Sequence, residues 1–139
     1  RLAASDEAKL RRLGTPARPA ALVLAPTREL ALQIEAECAK LTHDAPPPPS
    51  GARRWCACAY GGANARPQLE RLAGGVEVLI ATPGRLVDFV NRDLVSLAGC
   101  RYLVLDEADR MLDMGFEPQI KRIVEQHDLP PPSARQTLL

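Results

Sequence analysis

Apolar side chains in this chain fall into four short runs: AALVLAP at 20–26, WCACAY at 55–60, VEVLIA at 76–81 and RYLVL at 101–105. Three of these are almost continuously apolar, the pattern of strands buried on both faces. Each run passes through a turn signal into a helical pattern. TRELALQIEAECAKL sets Leu30, Ile34 and Leu41 at roughly helical spacing. ANARPQLERLAGG closes on Gly74 and Gly75 as a helix stop. TPGRLVDFVNRD opens with Thr82 as an N-cap and Pro83 at the first helical position. EADRMLDMGFEPQIKRIVEQHD predicts a short helix, a break near Gly115 and a second helix past Pro118, and the closing QTLL predicts a strand just begun.

Repeated strand, turn and helix predict βαβ units, hence an α/β fold with a mostly parallel sheet. Residues 20–139 make that domain, and residues 1–19, of mixed charge, read as an N-terminal arm or solvated helix. APPPPS at 45–50 and PPPS at 130–133 read as exposed polyproline-type loops.

Composition changes this picture little. The 139 residues are 46% hydrophobic and 25% charged, enough for one domain with a usable core. A net charge of +1 leaves any nucleic-acid binding to local groups. No apolar stretch approaches membrane-spanning length, and no secretory pattern stands at the start, where the first residue is Arg1. The expectation is a soluble piece of something longer. Cys38, Cys56, Cys58 and Cys100 lack zinc-ligand spacing and read as buried small hydrophobes of a reducing, intracellular compartment; cytoplasm and nucleus stay equally open. Cys56 and Cys58, two apart on a strand, share one face.

In a parallel sheet every strand-to-helix turn emerges at the carboxyl edge, where ligands bind. PTREL, YGG, ATPGR and LDEAD should therefore share one rim. Asp106 and Glu107, ending an apolar strand, suit Mg²⁺ bound through water with phosphate oxygens, the second carboxylate orienting an attacking water. An acid-rich helix N-terminus is the competing account. PTREL and ATPGR set Thr27 and Thr82 at helix starts beside Arg28 and Arg85, and Gly84 keeps the approach clear; Gly61 and Gly62 make another turn. Ordinary capping and turn formation explain any one of these alone. Three such turns together suit an extended sugar-phosphate backbone, read with little sequence specificity.

In this order, PTREL, GG, TPGR and DEAD resemble motifs Ia, GG, Ib and II of the DEAD-box ATP-dependent RNA helicases, and VLDEADRMLDMGFEPQIKRIVEQ resembles their vasa and belle branch. The resemblance implies a RecA-like first domain that works with a second RecA-like domain, binding ATP, Mg²⁺ and RNA and unwinding short duplexes. It implies that Asp106 holds Mg²⁺ through water, that Glu107 positions or activates the hydrolytic water, and that Asp109 couples nucleotide to RNA. It places Pro26, Thr27, Arg28, Gly61, Gly62, Thr82, Gly84 and Arg85 against the RNA backbone, with Gln68 fitting the same pattern.

No GxxxxGK[ST] phosphate loop occurs in these residues, nor does the family's SAT motif. The expectation is a partial RecA-like domain lacking its phosphate-loop strand, with an exposed apolar edge beside QTLL and no ATP turnover on its own. Two further readings stand beside it: a non-enzymatic fragment that binds RNA backbone, and a chain that does not fold stably.

Overall fold

The computed structural model describes residues 16–126 and 128–139. Most of the predicted arm, residues 1–15, lies outside them, as does His127. In chain order the elements are β1 (Ala21–Leu24), α1 (Arg28–Leu41), β2 (Arg54–Ala59), α2 (Ala65–Leu72), β3 (Val76–Ala81), α3 (Pro83–Asn91), β4 (Tyr102–Leu105), α4 (Ala108–Asp113), α5 (Glu117–Lys121) and β5 (Gln136–Leu138). α5 runs on into a wider π-type turn, Arg122–Gln126. The predicted break after α4 falls at Gly115, whose φ of 84° a side chain would resist.

The strands form one sheet in the order β2-β3-β1-β4-β5, every pair parallel. The predicted α/β class and parallel sheet are what the chain adopts. Just before β1, Ala17 bridges to Val95, donating to the Leu94 carbonyl and accepting from the Ser96 amide.

Both faces of β1, β2 and β3 are covered, which is why these strands read as largely apolar. Leu22, Leu24, Leu79 and Leu103 meet Leu69 and Leu72 of α2, Leu86 and Phe89 of α3, and Met111 of α4. Each such side chain, fully buried, contributes about 1.5–3 kcal/mol relative to exposure. On the other face Cys56, Cys58 and Ile80 pack under α1 through Ala31, Leu30, Ile34 and Cys38. The two cysteines do share a face, as period-two alternation requires.

Three sequence expectations need correcting. Leu41 is 83% exposed, so the apolar stripe of α1 ends a turn early. By alternation the next β2 residue on the Cys58–Cys56 face is Arg54, so the apolar surface of β2 on that face ends at Cys56. The loop at 45–50 is not wholly exposed: Pro48 is buried, Trp55 Nε1 donates to the Pro46 carbonyl at 2.9 Å, and Ser50 donates to Glu77. The second proline stretch closes into a 3₁₀ turn, Pro132–Ala134.

Among the described residues β5 has no neighbour on its far side, and Gln136, Thr137 and Leu138 are all exposed. Tyr102 and Leu138, 46% and 49% exposed, lie on one sheet face there.

Candidate functional site

The strand ends stand in a single row. Ala59 pairs with Ala81, Ala81 with Leu24, and Leu24 with Leu105. Strand spacing makes this row roughly 14 Å long. The residue after three of these ends extends the ladder: Thr82 N–H donates to Ala59, Ala25 N–H to Ala81 and Asp106 N–H to Leu24, each at 2.9 Å. The four predicted turns therefore share one rim, ordered Gly61–Gly62, Thr82–Arg85, Pro26–Arg28 and Asp106–Glu107.

At the Thr27 turn, Pro26 is buried and the Thr27 hydroxyl accepts from Leu30 N–H at 3.2 Å, so Thr27 caps α1 as expected. Arg28 points back over the Tyr60 ring, 5.1 Å from its centroid, in a cation–π contact between two turns.

Thr82 behaves differently. It occupies the N-cap of α3, yet its hydroxyl makes no bond to that helix. Its carbonyl accepts from Leu86 N–H, and its Oγ1 accepts from Gly61 N–H at 3.2 Å. The side chain thus replaces the carbonyl that the helix has diverted. Arg85 adds a second tie, Nη2 donating to the Ala63 carbonyl at 2.9 Å, with its guanidinium 5.6 Å from the Phe89 ring centroid. Its Nη1 is buried and has no hydrogen-bond partner among the described residues. Arg85 lines an open cleft of about 450 Å³ with Asn64, Asp88 and Arg92.

Gly62 has φ of 77°, which a side chain would resist. At Gly84 nothing lies within 4 Å of where a Cβ would sit. Packing therefore does not demand a glycine at 84, while the rim stays open there.

The acidic end of the row has its own geometry. Asp106 is half-buried and fixed by its ladder bond. Glu107 adopts a left-handed backbone, φ 52° and ψ 51°, at a cost on the order of 1–3 kcal/mol for a residue with a side chain. It stands at the N-cap of α4 but makes no side-chain cap bond; its Oε1 lies 3.3 Å from Arg110 Nη1 at the surface. Helix capping therefore does not account for this carboxylate. Asp109 is exposed in the first turn of α4.

Among the described residues no three His, Cys, Asp or Glu side chains converge on a metal position. Asp106 and Glu107 nonetheless fit Mg²⁺, which binds through one or two carboxylates, water and substrate phosphates instead of an all-protein cage. The thiols lie elsewhere: Cys56 and Cys58 under α1, beside Cys38 of that helix, and Cys100 in the core on the other face. Burial pushes Cys56 up to about 12, with Cys38 beside it contributing, and burial likewise raises Cys58 and Cys100.

Sequence reasoning gave Tyr60 no role and Gln68 only a family pattern. Gln68 is 5% exposed; its Oε1 accepts from Tyr60 N–H and its Nε2 donates to the Tyr60 carbonyl, both at 3.0 Å. The available signal was an aromatic residue at a strand end directly before two glycines.

Residues 5–139 match the family model described as DEAD/DEAH box helicase. The chain is 55% identical over 123 residues to "DEAD-box ATP-dependent RNA helicase 52A" of Oryza sativa subsp. japonica, covering 88% of this chain and 19% of that protein. Its fold matches the crystal structure of the yeast DEAD-box splicing factor Prp28 with a TM-score of 0.75 at 32% identity, over 97% of this chain and 33% of that one. The chain spans about a fifth of the curated relative's length and a third of the solved one's.

Proposed function

Because the chain belongs to the DEAD/DEAH box helicase family, we propose that its rim is the RNA-binding and nucleotide-facing edge of a first RecA-like domain in an ATP-dependent RNA helicase. The observation that carries this reading is the register row joining Ala59, Ala81, Leu24 and Leu105, which gathers phosphate-ready turns and the acidic pair along one edge. Pro26, Thr27, Arg28, Gly61, Gly62, Thr82, Gly84 and Arg85 serve the RNA backbone. Asp106 and Glu107 face the triphosphate; Mg²⁺, when bound, neutralises charge on the phosphate oxygens. Asp106 orients the water shell from its fixed ladder position, Glu107 accepts the proton of the attacking water, and Asp109 relays nucleotide state towards the RNA turns. A second RecA-like domain completes the cleft. Assignment to the vasa and belle branch rests on the stretch 104–126 alone.

These 139 residues hold no phosphate loop, so on this reading they bind RNA backbone without turning over ATP. A reducing intracellular setting suits four described cysteines that are all free. No described helix is long and apolar enough to cross a membrane. The test is a salt titration of binding to single-stranded RNA of mixed sequence. Affinity that falls steeply with rising salt, with little dependence on sequence, supports the reading. No affinity at low ionic strength refutes it.

A further inference from the structure

Among the described residues β2 is an edge strand, and in a parallel ladder successive residues direct their backbone groups alternately to opposite sides. Ala59 turns its carbonyl to Thr82 across the gap from β3, so the Tyr60 N–H and C=O face the open side. Both groups are taken by one primary amide, that of Gln68. The Gln68 side chain thus takes the place that a single peptide of a paired strand would fill on that side. Only one amide orientation works, because a flipped one would set donor against donor and acceptor against acceptor.

What this holds in place matters. Tyr60 immediately precedes Gly61, whose amide reaches Thr82, and its ring lies beneath the Arg28 guanidinium. Resting on the RNA-binding reading above, we infer that Gln68 is a positioning residue: it clamps the Tyr60 peptide, sets the Gly61–Gly62 turn, and through the Tyr60 ring holds Arg28 at the rim for the RNA backbone. Gln68 itself, buried in α2, touches no ligand.

The test uses the whole chain with Gln68→Ala and Gln68→Glu, read by amide hydrogen exchange and by anisotropy with single-stranded RNA at low salt. Gln68→Ala should speed exchange at Tyr60 and weaken RNA binding by about tenfold, since both backbone groups lose their partner, while amides of β1 keep their protection. Gln68→Glu supplies a second readout. Its carboxylate can accept from Tyr60 N–H but repels the Tyr60 carbonyl; once protonated, the acid can donate to that carbonyl as the amide does. Its RNA affinity relative to wild type should be low at about pH 8 and recover towards about pH 5, burial raising its carboxyl above the ordinary range.

Unchanged exchange at Tyr60 in Gln68→Ala overturns the clamp. Wild-type RNA affinity in Gln68→Ala despite faster exchange overturns the positioning role, as does a pH-independent ratio for Gln68→Glu. If the wild-type chain binds no RNA, the underlying reading fails and the positioning role with it; exchange at Tyr60 then reports separately whether the clamp exists.

Discussion

The Thr82 hydroxyl accepts a hydrogen bond from the Gly61 amide at 3.2 Å, although Thr82 stands at the N-cap of α3. An N-cap threonine ordinarily spends its oxygen on its own helix. Here it fastens the turn after β3 to the turn after β2, two of the proposed RNA-contacting segments.

Thr82→Val keeps the shape and removes the acceptor. Gly61 is exposed and water can partly replace the lost bond, so the cost in stability should be about 1 kcal/mol, at the low end for a lost partner. Urea denaturation checks this value. The same variant should bind RNA several-fold more weakly, because the Gly61 amide is no longer held in place. Unchanged affinity would show that the two turns need no mutual tether.

Gly84 separates packing from ligand access. No atom lies within 4 Å of a Cβ built there, so Gly84→Ala should leave thermal stability almost unchanged, even gaining slightly from its helical position. If phosphate approaches the start of α3, the added methyl should still weaken RNA binding, by about tenfold for one displaced charge-assisted contact. Binding equal to wild type would place the RNA path away from this helix.

How far the sequence reveals the molecule follows from what each feature depends on. β1 and β3 were legible because burial on both faces leaves nearly continuous apolar runs such as VLIA at 78–81, and parallel pairing then forces their turns to one rim. Thr27 was legible as a helix start because capping is local chemistry, and Thr82 because Pro83 follows it at the first helical position. The Gln68 clamp was not, since it exists only where α2 brings that amide to the open edge of β2. The cross-bond from Thr82 needs β2 and β3 in their particular register. Leu41 misled for a related reason: helical spacing says which side a residue faces, but not whether the apolar surface beneath the helix extends that far. The left-handed backbone of Glu107 leaves no local trace, because its cost is borne by the strand and helix that flank it.

The buried thiols predict an alkaline limit to stability. Cys56 rises from an ordinary 9.0 to about 12 in the folded chain, mainly through burial, and Cys58 rises with it. The unfolded chain therefore loses these protons first, so between about 9 and 12 it binds fewer than the folded one and stability falls as pH rises. Below about 9 the contribution is fully present. Urea midpoints should hold steady from about pH 7 to 8.5 and then decline, and Cys56→Ala with Cys58→Ala should flatten that decline. An equally steep decline in the double variant would assign it to other groups. Native Cys56 and Cys58 should also resist iodoacetamide near neutral pH, because the thiolate is the reactive form.

Glu107 offers the sharpest division between strain and chemistry. Its left-handed φ of 52° costs less for glycine than for any residue with a side chain. Glu107→Gly should therefore hold or raise stability, by up to about 1 kcal/mol, despite losing the surface pair with Arg110, worth at most about 1 kcal/mol when exposed. A structural glutamate should behave the opposite way, its removal lowering the unfolding midpoint. Catalysis is tested in a helicase that carries these residues with a phosphate-binding loop and a second RecA-like domain. There Glu107→Gln keeps the side chain's size and its backbone, so ATP binding should persist. Turnover should fall by about 10² to 10⁴, the usual worth of a positioned general base. Binding that persists while hydrolysis collapses would make the strained conformation the means of aiming this carboxylate at water. Turnover within a few-fold of wild type would leave the strain without a catalytic purpose and shift the search for the base elsewhere on the rim.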